Sequence, residues 1–213
     1  MKHLKVFISY SSDDKKLARL FKSCFITYAG FLVFLAHEDI VPASEWELKI
    51  IEELKQADIV VPLITNNYHS SEFTDQELGM AFAWDKIIIP IKLTDINPYG
   101  FIKKIQALKC LDNEYDVINA VLSIVFVLIE RKEYKRFKKT VVDCLINAFN
   151  SSGSFKTTRI IIRILTKIDQ FNSNQITSLK KAIKNNNQIY DEYYALPDFK
   201  KMLEEKHKIA IDT

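Results

Sequence analysis

Glu77 is the residue whose position most needs a chemical explanation. On a helical wheel of about 100° per residue, Phe73, Leu78, Ala81 and Trp84 form one apolar arc. Glu77 falls inside that arc, between Trp84 and Ala81, with Asp75 and Gln76 on the other side. A carboxylate on the buried margin of a helix is costly unless something compensates it. Desolvation there raises its pKa and keeps it reactive. The plainer reading is a glutamate at the edge of the arc whose head reaches back to water. Trp46 invites a similar pair of readings. It sits where an acidic, proline-containing loop enters a helix, and it could stack on a flat ring or anchor the core. His37 and His69 lie in loops, but neither has a partner at metal-ligand spacing, so no metal is expected.

The elements that must position these residues read as an alternation of strands and helices. Residues 5–10 (KVFISY), 31–36, 58–65 (DIVVPLIT) and 86–93 (KIIIPIKL) are strand-like, and 107–111 is a short fifth candidate. Helices are expected at 15–28, capped by Ser12, Asp13 or Asp14, then at 45–56, 73–84 and 114–132. Strands apolar along their whole length and bounded by helices imply a parallel sheet covered on both faces. The fold class expected is therefore α/β, a flavodoxin-like, doubly wound, five-stranded parallel sheet. Pro62 and Pro90 interrupt two of its strands. Ligands of such sheets bind beyond the carboxyl ends of the strands, which directs attention to residues 10–14, 37–46, 65–77 and 94–99.

Composition adds a boundary. Hydrophobic residues make up 48% of the 213 and charged residues 27%, the balance of a globular protein. Residues 1–130 carry a formal charge of −5, whereas residues 131–213, with 17 Lys/Arg and 9 Asp/Glu, carry +8. That change suggests a first domain over 1–130 and a basic, all-helical module over 131–213. The module's helices are expected at 133–149, 155–170, 174–185 and 198–208, with a turn at 151–154. Its Tyr190, Tyr193, Tyr194 and Phe199 have spacings that suit a helical core. The surplus charge suits an acidic protein or, less readily, nucleic acid, against the plainer reading of a solvated surface. Cys24, Cys110 and Cys144 are odd in number and far apart, which fits reduced, buried thiols in a cytoplasmic protein. No secretory leader is expected. The longest apolar run, 117–129, is broken by Asn119 and Ser123 and is shorter than the ~20 residues of a membrane span, so no membrane partner is expected.

Several doubly wound families fail on these loops. The third strand ends at Thr65-Asn66, where a phospho-receiver needs an aspartate. The loop after the first strand is acidic, where a flavin phosphate needs a hydroxyl- and glycine-rich cradle. The four glycines cannot build a G-x-G-x-x-G or Walker loop.

Four ordered segments resemble instead the Toll/interleukin-1 receptor (TIR) domain of the bacterial type. Residues 6–11 (VFISYS) look like its first box, and 39–46 (DIVPASEW) like its BB loop. Residues 57–65 (ADIVVPLIT) look like its third strand, and 70–78 (SSEFTDQEL) like its Ser-x-Trp-Cys-x-x-Glu-Leu segment. Ala43 stands where the family's loop has glycine, and Phe73-Thr74 replaces Trp-Cys. The resemblance implies either an enzyme that cleaves NAD at the nicotinamide–ribose bond or a non-catalytic adaptor acting by homotypic assembly. In the enzymes the catalytic glutamate lies four residues after the aromatic, a position held here by Glu77. The same resemblance implies substrate-binding roles for Ser9, Tyr10, Ser11, Asp39, Trp46 and Phe73. NAD+ is then a substrate, and no cofactor is needed. It also implies self-association through TIR domains, a product of ADP-ribose or a cyclic isomer, a downstream sensor of that product, and a setting in bacterial antiphage immunity. A nucleoside deoxyribosyltransferase shares the architecture and a glutamate nucleophile, but the 8–11 box and the 39–46 loop fit it less well. The helical module resembles no recognised family.

Overall fold

The β-branched and aromatic runs become a parallel sheet, as their composition dictates. The computed structural model describes residues 3–36, 39, 46–71 and 73–208. The strands are β1 (Lys5–Ser9), β2 (Leu32–Leu35), β3 (Ile59–Ile64), β4 (Ile87–Ile88), β5 (Ile91–Lys92) and β6 (Leu108–Lys109). All pairings are parallel, in the order β2-β1-β3-β5-β6, with β4 also on β3. β4 and β5 occupy the single fourth position expected from sequence, so the doubly wound sheet has five positions with the fourth interrupted. Every residue of β3 is buried, as befits a central strand covered on both faces.

The two prolines account for the interruption. Val60 O accepts from Ile89 N at 3.0 Å and Ile64 O from Leu93 N at 3.0 Å. Alternate β3 residues 60, 62 and 64 therefore face the fourth strand, and Pro62 has no N–H to give it. On the far side, Pro90 still accepts from Leu108 N at 2.9 Å. Pro62 is also the register partner of Ser9, which places the end of β1 beside this gap.

Four helices accompany the sheet: α1 (Lys15–Cys24), which runs on as a π-helical turn (Phe25–Ala29), α2 (Trp46–Gln56), α3 (Thr74–Ala83) and α4 (Glu114–Glu130). Phe7, Ile50, Leu54, Val60, Leu78 and Ala81 belong to one buried cluster under α2 and α3. The expected capping of α1 does not occur. Asp14 is its N-cap by position but makes no side-chain capping bond, because its carboxylate is used elsewhere. Pro42, Ala43, Glu45 and His37 lie outside the described residues.

The chain divides into two compact units. One holds the residues through Ile26 with Phe31–Ile124; the other holds Thr27–Gly30 with the residues from Val125 onward. The division falls within α4, before the change in charge. The second unit contains α5 (Lys135–Asn150), α6 (Phe155–Leu165), α7 (Ser173–Asn185), α8 (Asn187–Tyr190) and α9 (Leu196–His207). α7 begins with a reciprocal capping box between Asn172 and Gln175. α8 forms where sequence suggested only a break, because the Asn186 side chain caps it through Gln188 N. Phe199 is buried against Phe149, with ring centroids 5.9 Å apart. The core role expected of the tyrosines is not met, since Tyr190, Tyr193 and Tyr194 are exposed. The three cysteines are buried and none is in a disulfide. Among the described residues, no helix is long and apolar enough to cross a membrane.

Within the second unit Gly30 has φ +68°, and an added Cβ would lie 2.3 Å from Cys144 O, a main-chain atom that cannot step aside. A Gly30→Ala chain is expected to lose about 2 kcal/mol or more of stability, from the left-handed backbone and the clash together. Urea denaturation of the two chains side by side measures it, and an unchanged midpoint would contradict the steric account.

Candidate functional site

The end of β1 and the loop after β3 converge with the first turn of α3, and each of the three contributes one polar side chain. Ser9 ends β1. Tyr68 stands in a short 3-10 turn (Tyr68–Ser70) after β3. Glu77 lies in the first turn of α3. The Ser9 hydroxyl donates to Glu77 Oε2 at 2.6 Å, and Ser9 Oγ lies 3.0 Å from the Tyr68 hydroxyl. All three are buried: Glu77 is 4% exposed, and Ser9 and Tyr68 are wholly enclosed. The alternative in which Glu77 reaches back to water is therefore not what the fold adopts.

The electrostatics follow from this enclosure. Burial pushes the Glu77 carboxyl up to about 7, and the Ser9 hydrogen bond opposes that rise without cancelling it. Burial likewise pushes the Tyr68 phenol well above its ordinary value, reinforced by the negative charge of Glu77, so it stays protonated. Among the described residues no cation raises or lowers the Glu77 pKa. The start of α3 is the one further source of positive potential, since Glu77 lies in its first turn.

A second buried carboxylate shows what compensation looks like in the same chain. Glu192 is 1% exposed, but it accepts from Arg159 Nε at 2.6 Å, Ala195 N at 2.5 Å and Leu196 N at 3.0 Å. Burial raises its pKa, yet Arg159 and the backbone N–H groups outweigh burial and hold it below the usual carboxylate value. Glu192 is thus a capped and neutralised structural group at the start of α9. Glu77 has one hydroxyl in place of that full set.

The walls around Glu77 are built by specific bonds. Asp14 accepts from Thr65 Oγ1 at 2.5 Å and Asn67 Nδ2 at 3.0 Å, tying the loop after β1 to the loop after β3. Thr74 Oγ1 donates to Tyr68 O at 2.6 Å and fixes the 3-10 turn to the start of α3. Phe73 O accepts Glu77 N at 2.9 Å, so Phe73 lies one helical turn before the carboxylate. Its ring meets Trp46 edge-on, with centroids 4.5 Å apart. Trp46 is 37% exposed, which places it at the surface, partnered by Phe73.

The other residues singled out from sequence are placed as follows. Tyr10 and Ser11 are buried next to Ser9 on the chain. Asp39 is engaged in local structure: its carboxylate accepts from Leu35 N at 2.7 Å and pairs with Lys22. His69 sits 3.5 Å from Asp75 Oδ2 and stacks edge-on with Tyr99, whose hydroxyl donates to Asp75 Oδ1 at 2.6 Å. Among the described residues no three His, Cys, Asp or Glu side chains gather as a metal site. Sequence reasoning missed Tyr68. The available signal was a bulky aromatic within the polar loop Asn66-Asn67-Tyr68-His69-Ser70, directly after a central strand.

Comparison with known proteins agrees with the four-segment resemblance. The family model of the TIR domain matches residues 6–122, more than half of the chain. No curated protein sequence matches it. Among solved structures, the TIR domain of the Toll-related receptor TRR-2 from Hydra magnipapillata matches with 17% sequence identity. That match covers 57% of this chain and 94% of that one, with a TM-score of 0.48.

The raised carboxyl has a consequence for stability. Folded Glu77 holds its proton to about pH 7 and an unfolded one to about 4.5. The folded state therefore binds the proton more tightly, and stability falls as pH rises through that interval. Glu77→Gln, which keeps the shape without the charge, is expected to be more stable than the parent at pH 8, by on the order of 2–3 kcal/mol. The difference should shrink towards zero at pH 4.5 and below. Urea melts of both chains at pH 8 and pH 4.5 decide it; a gain independent of pH would show that desolvated charge is not the cause.

Proposed function

The chain belongs to the TIR domain family, and we propose that its TIR unit cleaves NAD+ at the nicotinamide–ribose bond with Glu77 as the catalytic carboxylate. The observation that carries this reading is the enclosure of Glu77 with, among the described residues, one hydroxyl donor and no paired cation. Such a group has a deficit of positive charge. NAD+ supplies it twice, first as the pyridinium and then as the ribose cation that forms when the bond breaks.

The bond in question joins ribose C1′ to the pyridinium nitrogen. Its electron pair leaves with nicotinamide, which departs neutral, so no general acid is required. The positive charge moves to C1′ and the ring oxygen. Glu77 stabilises that charge, and the low local dielectric strengthens the attraction. One carboxylate suffices here, unlike the pair that most glycosidases need to protonate a poor leaving group. Trp46 and Phe73, one turn before Glu77, offer an aromatic wall for the nicotinamide ring. Water attacking C1′ gives ADP-ribose; an adenine nitrogen attacking it gives a cyclic isomer. Family resemblance further suggests a site completed by a neighbouring TIR domain, and a role in bacterial immune signalling through the product. Phe82 and Phe101, stacked 5.0 Å apart and 49% and 69% exposed, provide an apolar surface for such self-association.

Purified full-length chain should consume NAD+ at a rate that climbs more steeply than protein concentration. Glu77→Gln should lower the rate about 10²–10³-fold or more. Because the ionised form does the work, kcat/KM should fall about tenfold per pH unit below about 7 and level off above it. Chromatography of the products reads hydrolysis against cyclisation. A lack of Glu77-dependent turnover in concentrated protein would remove the enzymatic reading and leave homotypic assembly as the function.

A further inference from the structure

The hydroxyl chain behind Glu77 has a direction that follows from counting protons. Ser9 has one proton, and at 2.6 Å from an ionised Oε2 that proton lies on the bond to Glu77. The 3.0 Å contact between Ser9 Oγ and the Tyr68 hydroxyl then needs a proton from Tyr68. The chain runs Tyr68 to Ser9 to Glu77 whenever the carboxylate is charged. A protonated Oε2 reverses the first bond and frees the Ser9 proton, so the second bond can then run either way. The wholly buried positions of Ser9 and Tyr68 shield these two bonds from water. The Tyr68 main chain is fixed as well, because its carbonyl accepts from Thr74 Oγ1 and its N–H donates to Thr65 Oγ1 at 3.2 Å.

We propose that Tyr68 is a positioning residue for Glu77: acting through the Ser9 hydroxyl, it anchors Oε2, keeps the carboxylate charged, and leaves Oε1 to face the ligand. The proposal rests on the reading of Glu77 as the catalytic carboxylate and adds to it a buried donor two bonds removed. Ser9, a substrate-binding candidate from sequence, donates its hydroxyl proton within this chain. The phenol polarises the Ser9 hydroxyl, and the stronger donor favours the ionised carboxylate.

Few other ionisable groups act here. Asp75, two residues nearer the start of α3, and Tyr99, from the turn before residue 100, are both felt at Tyr68. His69 is held against Asp75, and Asp14 is occupied by Thr65 and Asn67. On the α2 side, Lys55 lies over the Trp84 ring at the far end of α3.

The test follows the carboxyl itself and needs no NAD+. Full-length chain carrying 13C at the glutamate side-chain carboxyl is titrated by NMR, with the Glu77 resonance assigned by its absence from Glu77→Gln. Tyr68→Phe keeps the ring and removes only the donor, and it should move the Glu77 midpoint up by about half a pH unit. Ser9→Ala should move it up by about one unit or more, and Ser9→Thr, which keeps a hydroxyl, should restore the parent value. Growth on 3-fluorotyrosine, which makes all nine phenols stronger donors, should move the midpoint down in the parent and leave it unmoved in Tyr68→Phe, so that the difference belongs to Tyr68. A Tyr68→Phe midpoint equal to the parent's, or no response to fluorination, overturns the proposal and leaves Tyr68 as packing. Missing NAD+ turnover would remove the enzymatic reading while these titrations stand, and turnover with unmoved midpoints would remove only the role of Tyr68.

Discussion

A carboxylate taken out of water must be answered by something, and the answer given to Glu77 is partial. One serine hydroxyl and the start of a helix face it, and no lysine or arginine among the described residues is paired with it. The comparison with Glu192 gives this weight. Both carboxylates are nearly inaccessible, yet Glu192 receives a guanidinium and backbone N–H groups and sits below its ordinary pKa. The same chain thus builds one compensated and one undercompensated buried acid. An undercompensated buried acid lowers stability.

The sheet exists to hold that arrangement. Ser9 is fixed by β1 between β2 and β3, with Pro62 of β3 as its partner across the ladder. The strand neighbouring β3 is interrupted where Pro62 withholds its N–H, and Tyr68 follows within one short turn of the end of β3. Asp14 locks the two loops together instead of capping its own helix. A capping bond of the ordinary kind was given up, and a cross-loop bond that shapes the site was gained.

Most of the fold was legible because it rests on local periodicity. Apolar runs, helix spacing and the change in charge foreshadowed a parallel doubly wound sheet and a helical module. The wheel position of Glu77 was informative for the same reason, as burial on a helix follows from angle alone. Tyr68 was not legible, because it sits in a 3-10 turn inside a polar loop, where no period marks which side chain points inward. Ser9 was noticed but read as a substrate contact. Its direction depends on what stands 59 and 68 residues away, and a linear sequence does not display such pairings. The tyrosines of the second unit failed in the opposite sense. Their spacing suited a core, but the end of α8 and the turn after it leave Tyr190, Tyr193 and Tyr194 exposed, and of the four only Phe199, on α9, is buried.

The chain has two tryptophans, and their surroundings differ. Trp46 is partly open and touches the edge of Phe73, one turn before Glu77, while Trp84 lies at the far end of α3 beneath the Lys55 ammonium. The molecule therefore carries its own optical probe. Emission from Trp46 reports on the surroundings of Phe73, and emission from Trp84 serves as an internal reference, so a change confined to the neighbourhood of Phe73 is readable in colour and intensity without any dye.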